Sequence, residues 1–209
     1  GFYTLMSRAN TSDYENKEWF NYRLYYGDSM MMDQPCQTDW QVGFNYFNFP
    51  DMSDNVADMQ EAYGKFSWPN MFENGVIPYY GVYRSWPSQS SSVAASDAGG
   101  WMHQLGMKFD WTMEGMTADM PETVVTMMAE VWHNGSAWGH LNNLLATGAS
   151  DVATDVDHDW SHFVVGATTE MPMGEWVMSP GIFYQHTMEK DVTDQPDIVW
   201  GKVSMAYKF

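Results

Sequence analysis

Side chains able to hold a metal are the first candidates for chemistry. Asp151, Asp155, Asp157 and Asp159 crowd one stretch of the chain. Clustered carboxylates suit Ca²⁺, a hard cation that takes about six to eight oxygen ligands. Their spacing does not follow the EF-hand loop, which needs a glycine at its sharp turn and a glutamate at its end. A solvated acidic loop accounts for the same residues. His133 and His140 flank Asn134-Gly135-Ser136-Ala137-Trp138-Gly139, and a zinc site there would need about two further ligands. Met30-Met31-Met32 lines up soft thioethers, the ligand type that selects Cu(I). Copper handling calls for inward methionines, however, and these fall in a turn. No cofactor is expected beyond Ca²⁺ at the aspartate stretch.

Catalytic patterns are missing. The sequence holds no G-x-S-x-G, no H-E-x-x-H and no P-loop. His103 falls on an apolar strand face, and His162 and His186 fall near strand ends, with no nucleophile placed beside them by the pattern. We therefore expect no enzyme. The remaining chemistry-bearing group is a set of ionisable residues inside predicted strands: Arg23, Glu61, Lys65, Lys108, Asp110, Glu130, Glu170 and Lys202. On the inner wall of a barrel they would line a passage for small hydrophilic solutes or ions.

The elements that would position them are strands. Apolar residues recur with period two, the signature of a pleated strand with two unlike faces. Trp101, His103, Leu105, Met107, Phe109, Trp111 and Met113 share one face, and Met102, Gln104, Gly106, Lys108, Asp110 and Thr112 the other. The same alternation predicts ten strands near 1–7, 19–26, 39–49, 58–68, 75–86, 100–113, 121–134, 158–171, 174–187 and 197–209. Several reach the ~9–11 residues of a tilted membrane strand. Counted back from the C-terminus the connections alternate long and short, with 27–38 the exception as a 12-residue turn on the short side. Long loops on one side and short turns on the other are the habit of outer-membrane barrels. The 209 residues suit a single domain, 1–209.

Composition narrows the choice. At 44% hydrophobic and 16% aromatic the chain is not disordered. Its apolar runs, such as Val124–Ala129, fall far short of the ~20 residues of a spanning helix. A bilayer crossing by this chain therefore requires a closed barrel, because an open sheet edge in lipid leaves backbone groups unpaired. Net charge of -18 excludes nucleic acid as a partner. The single cysteine, Cys36, excludes an internal disulfide. The predicted strands nearly balance their charges, with Arg84 and Lys208 joining the basic residues above, whereas the connections are strongly acidic beside only Arg8, Lys17 and Lys190. Tryptophans near strand ends, Trp19, Trp40, Trp68, Trp101, Trp111, Trp132, Trp160, Trp176 and Trp200, fit aromatic girdles at the two membrane interfaces.

The last segment, Val199-Trp200-Gly201-Lys202-Val203-Ser204-Met205-Ala206-Tyr207-Lys208-Phe209, resembles the C-terminal signal of bacterial outer-membrane proteins, with Val203, Met205, Tyr207 and Phe209 at its alternating apolar positions. That resemblance implies recognition by the barrel-assembly machinery. Gly43-Phe44-Asn45-Tyr46-Phe47-Asn48-Phe49-Pro50, Glu61-Ala62-Tyr63, His103–Trp111 and Ser179–Gln185 resemble the small TorF-like porin family. It implies about two further strands before Gly1 and a complete barrel of about 12. The expectation is thus an all-β, antiparallel up-and-down transmembrane β-barrel in a bacterial outer membrane, porin-like, with lipid as its surroundings. Its C-terminus would be periplasmic and its acidic loops extracellular. The alternative is a structural or interaction barrel whose acidic loops bind cations or a partner protein.

Overall fold

The computed structural model describes residues 2–11, 14–48, 58–88, 99–113, 122–135, 137, 159–189 and 197–207. Every regular element among them is a strand: β1 (Phe2–Thr11), β2 (Tyr14–Met30), β3 (Thr38–Asn48), β4 (Met59–Ser67), β5 (Val76–Pro87), β6 (Gly100–Met113), β7 (Thr123–Gly135), β8 (Asp159–Thr169), the short β9 (Met171–Met173), β10 (Trp176–Thr187) and β11 (Ile198–Tyr207). Each long strand pairs antiparallel with its chain neighbours in the order β1-β2-β3-β4-β5-β6-β7-β8-β10-β11, and β9 pairs with the start of β10. The result is one curled up-and-down sheet, half-barrel in form and consistent with a β-barrel. No pairing joins β1 to β11 among the described residues.

The ten expected strands are present, with shifted bounds. Gly27, Asp28, Ser29 and Met30 read as turn residues, but they pair with Gln41, Trp40, Asp39 and Thr38. The ladder outweighs their weak strand preference. The expected 12-residue turn thereby shrinks to 31–37, where Met31 and Asp33 take positive φ of 53° and 63°. Gln34 N–H donates to Met31 O and Gln37 N–H to Gln34 O, closing the turn. At the other tight connection the reversal sits at Gly174-Glu175 rather than at 172–173, and Gly174 carries the positive φ of 68°. Residues 8–18, expected between strands, largely continue β1 and β2, with Arg8 opposite Glu18 in the register. The connections 49–58, 88–99, 136–158 and 188–197 leave one end of the sheet, and 31–37, 68–75, 114–122 and 170–175 leave the other.

The two faces are inverted relative to a water-soluble core. Asn45, Glu61 and Ser85 are 1%, 4% and 0% exposed, whereas Leu24, Leu105, Ile182 and Val203 are 66%, 55%, 61% and 68% exposed. The polar row therefore lies inside the curl and the apolar row outside. Parity makes this an all-or-none property of each strand, because a one-residue slip exchanges the rows.

Glycines on the inward face let rings lie flat against the wall. A Cβ built on Gly106 would stand 2.4 Å from Tyr79 Cζ, and one on Gly43 would stand 2.5 Å from Tyr63 Cζ. The phenol of the neighbouring strand thus fills the space that a side chain would take. Gly64, by contrast, would offer a Cβ only ordinary contacts of 3.5 Å to the Phe66 ring. Replacing Gly106 by valine should lift the Tyr79 ring and destabilise the fold by roughly 1–3 kcal/mol, the usual cost of overpacking. Gly64→Ala should be near neutral. Urea unfolding of the detergent-folded protein, followed by tryptophan fluorescence, compares the two.

Candidate functional site

The inward face of β2–β8 carries the densest polar chemistry. Register sets Arg23 opposite Asn45, Asn45 opposite Glu61 and Glu61 opposite Ser85. These four side chains accordingly form a chain running across the strands. Arg23 Nε donates to Asn45 Oδ1 at 2.7 Å, Asn45 Nδ2 to Glu61 Oε1 at 2.7 Å, and Ser85 Oγ to Glu61 Oε2 at 3.1 Å. Both carboxylate oxygens of Glu61 are thereby occupied, which its burial requires.

A second centre forms on Glu130. Tyr79 Oη and Gln104 Nε2 each donate to its Oε2 at 2.6 Å, and Trp132 Nε1 donates to its Oε1 at 2.8 Å. The other end of the Gln104 amide accepts from Tyr83 Oη at 2.6 Å. The Tyr79–Glu130 bond reaches from β5 to β7 past the intervening β6. At ~4.8 Å between neighbouring strands, Gly106 leaves the route for that crossing open.

Rings and cations fill the space between the two centres. Tyr63 and Tyr83 stack with centroids 5.9 Å apart, Tyr83 meets Trp132 at 5.2 Å, and Trp132 stacks on His162 at 5.8 Å. The Lys65 ammonium stands 5.8 Å from the Tyr63 centroid and 5.7 Å from that of Tyr83, and the Arg23 guanidinium 5.4 Å from the same Tyr63 ring. Asp110, nearer the short-turn end, accepts from Thr126 Oγ1 at 2.6 Å. Lys108 and Lys202 share the inward parity with Gly106 and Gly181. Of the eight expected passage residues, Glu170 alone leaves the wall: β8 ends at Thr169, and Glu170 is exposed in the turn that follows.

Pattern reading missed the neutral partners. Asn45, Tyr79, Tyr83, Ser85, Gln104 and Trp132 supply most of the bonds, and only their shared parity with Glu61 and Glu130 marks them in the sequence.

Outside this wall, the expected calcium residues Asp151, Asp155 and Asp157 lie outside the described residues. Asp159 opens β8 and accepts the N–H of its neighbour Trp160 at 2.7 Å. Among the described residues no three His, Cys, Asp or Glu side chains are grouped to hold a metal. His140 lies outside the described residues; His133 packs against Trp160 at 5.4 Å and His103 at 6.2 Å on the outward face. His103 Nδ1 meets Tyr80 Oη at 2.6 Å. Ser161 Oγ and His162 Nδ1 are 2.6 Å apart, a contact of chain neighbours where the register between β7 and β8 shifts. In the turn 31–37, Cys36 Sγ lies 3.4 Å from Met31 Sδ. Comparison with protein-family models, curated proteins and solved structures finds no match.

At the long-connection end, Asp197 collects His186 Nδ1 at 2.9 Å, Thr187 N–H at 3.1 Å and Tyr184 Oη at 3.0 Å. The His186 bond, then the Thr187 N–H and the Tyr184 hydroxyl, hold its carboxyl below the ordinary range. A depressed carboxyl contributes stability above its unfolded value of about 3.9, and that contribution is lost as pH falls through the folded value. Hydrogen exchange at the Thr187 amide should therefore be slowed relative to an Asp197→Asn variant at pH 6, with the difference closing as pH falls below about 4. Removing Glu130 by alanine should leave three donors without an acceptor and destabilise by about 1–3 kcal/mol, against about 0.5–1.5 kcal/mol for Tyr79→Phe. Denaturant midpoints of the two variants test that order.

Proposed function

We propose that the chain is a porin-like outer-membrane barrel whose polar inward face passes small hydrophilic solutes or ions passively. The observation that carries this reading is the inversion of polarity across the sheet. A contiguous outward surface of Leu24, Val42, Phe44, Leu105, Met107, Met127, Ile182, Val199, Val203 and Met205 is far larger than soluble monomers tolerate. Its height also suits a bilayer. Trp101 and Trp111, both half exposed, bound the outward row of β6. Ten residues at ~3.3 Å each, tilted by ~40°, give an apolar band of about 25 Å, the usual height for such barrels. On β10, Trp176 and His186 bound a row of the same length.

Further support comes from the C-terminal strand. Val203 and Met205 are exposed on the outward row, where the assembly signal would need them, and Tyr207 ends β11. Phe209 lies outside the described residues. The resemblance to TorF-like porins points the same way, and with it a periplasmic C-terminus and extracellular acidic connections.

One observation favours the second reading, a structural barrel without flow. Glu61 and Glu130 are bonded to the wall itself, and rings of Tyr63, Tyr83 and Trp132 pack over it, which narrows the inward space. Planar-bilayer recording separates the two. Discrete, ohmic conductance steps are expected from the refolded protein; a silent membrane rejects passage. A protein that stays monodisperse in buffer without detergent rejects the membrane location itself.

A further inference from the structure

The inward face treats its two signs of charge differently. Its acids Glu61 and Glu130 are held by neutral donors: Asn45 and Ser85 hold Glu61, while Tyr79, Gln104 and Trp132 hold Glu130. Neither carboxylate forms an ion pair with a described residue. Arg23 is bonded to Asn45, but the inward lysines are not answered in kind. Lys65 makes no hydrogen bond or ion pair with any described residue, and neither do Lys108 and Lys202. An ammonium carries three donors, and ring faces attract its charge without accepting those hydrogens in the way an oxygen does.

Position sharpens the contrast. Arg23 and Lys65 come from β2 and β4 and both neighbour one ring, that of Tyr63, at 5.4 and 5.8 Å from its centroid. Two like charges thus share one ring, while the oxygens of Glu61 and Glu130 accept hydrogen bonds from neutral donors. The charges of Glu130 and Glu61 also act on Lys65 and oppose that of Arg23, and Lys202, from β11, adds to the positive side.

We propose that the Arg23–Lys65 pair over the Tyr63 ring binds small oxyanions, and that the passage consequently favours anions over cations despite the chain's charge of -18. The acidic connections do not cancel this preference. Their field is screened over about 8–10 Å in physiological salt, whereas a solute at the wall meets Lys65 directly. The selectivity half of the proposal rests on the passage reading above; the binding half does not.

Two measurements test it on the refolded full chain. In detergent, inorganic phosphate should raise the thermal midpoint above that in NaCl of equal ionic strength. Lys65→Gln should weaken the apparent phosphate affinity at least tenfold, while Lys65→Arg retains it. If Lys65→Gln does not fold, as judged by mobility before and after heating, Lys65→Met takes its place. An equal phosphate response in the wild type and the neutral variant overturns the site. In planar bilayers under a KCl gradient, the zero-current potential should report chloride over potassium, and Lys65→Glu should move it toward potassium. Potassium selectivity in the wild type overturns the selectivity. A silent bilayer with the Lys65-dependent phosphate response intact rejects passage and upholds the site.

Discussion

Strand parity is the constraint on which everything else in this molecule hangs. Glu61 faces inward only because Met59, Tyr63 and Lys65 do, and Ala62 faces outward with Gly64 and Phe66. Shift β4 by one residue against β3 and a carboxylate meets the apolar row while an alanine meets Asn45. The backbone ladder alone is indifferent to that choice. The decision comes from side chains that fit on one face only. Tyr63 over Gly43 and Tyr79 over Gly106 are such fits, since the ring needs a partner strand with nothing on that position. Register, face and hydrogen-bond network are therefore one property seen three ways.

The same parity explains why inward-facing acids here are answered by amides, hydroxyls and an indole. An ion pair taken out of water must recover a large desolvation cost through good geometry. A wall of antiparallel strands instead presents a short polar side chain directly opposite each carboxylate, as Asn45 and Ser85 stand opposite Glu61 on its two sides. Hydrogen bonds to a charged group are about twice as strong as neutral ones, so a few of them suffice without a direct ion pair. Lys65 is left with the aromatic faces of Tyr63 and Tyr83, and the wall acquires an uneven distribution of engaged and available charge.

Much of this was legible in the sequence. Period-two alternation marked the strands because an up-and-down sheet with two unlike faces writes its geometry directly into residue order. The ionisable residues of the wall, Arg23, Glu61, Lys65, Lys108, Asp110, Glu130 and Lys202, stood out because charge inside an alternating strand is rare. Three things were not legible. Gly27–Met30 looked like a turn because local preference hid a ladder with Thr38–Gln41. Glu170 looked like wall because alternation does not say where a strand stops. The partners of Glu130 come from β5, β6 and β7, and no local pattern says which residues of different strands share a height. Asp151, Asp155 and Asp157 lie outside the described residues.

Two of the short turns at one end are tied to one another. Gln37 Oε1 accepts from Asn70 Nδ2 at 2.9 Å and from the Asp33 N–H at 3.1 Å, so the β2–β3 reversal is joined to the β4–β5 reversal beyond the ladder itself. In mechanical terms this makes a stiffened hoop of that end. A pull applied along the strands would be shared between two hairpins there.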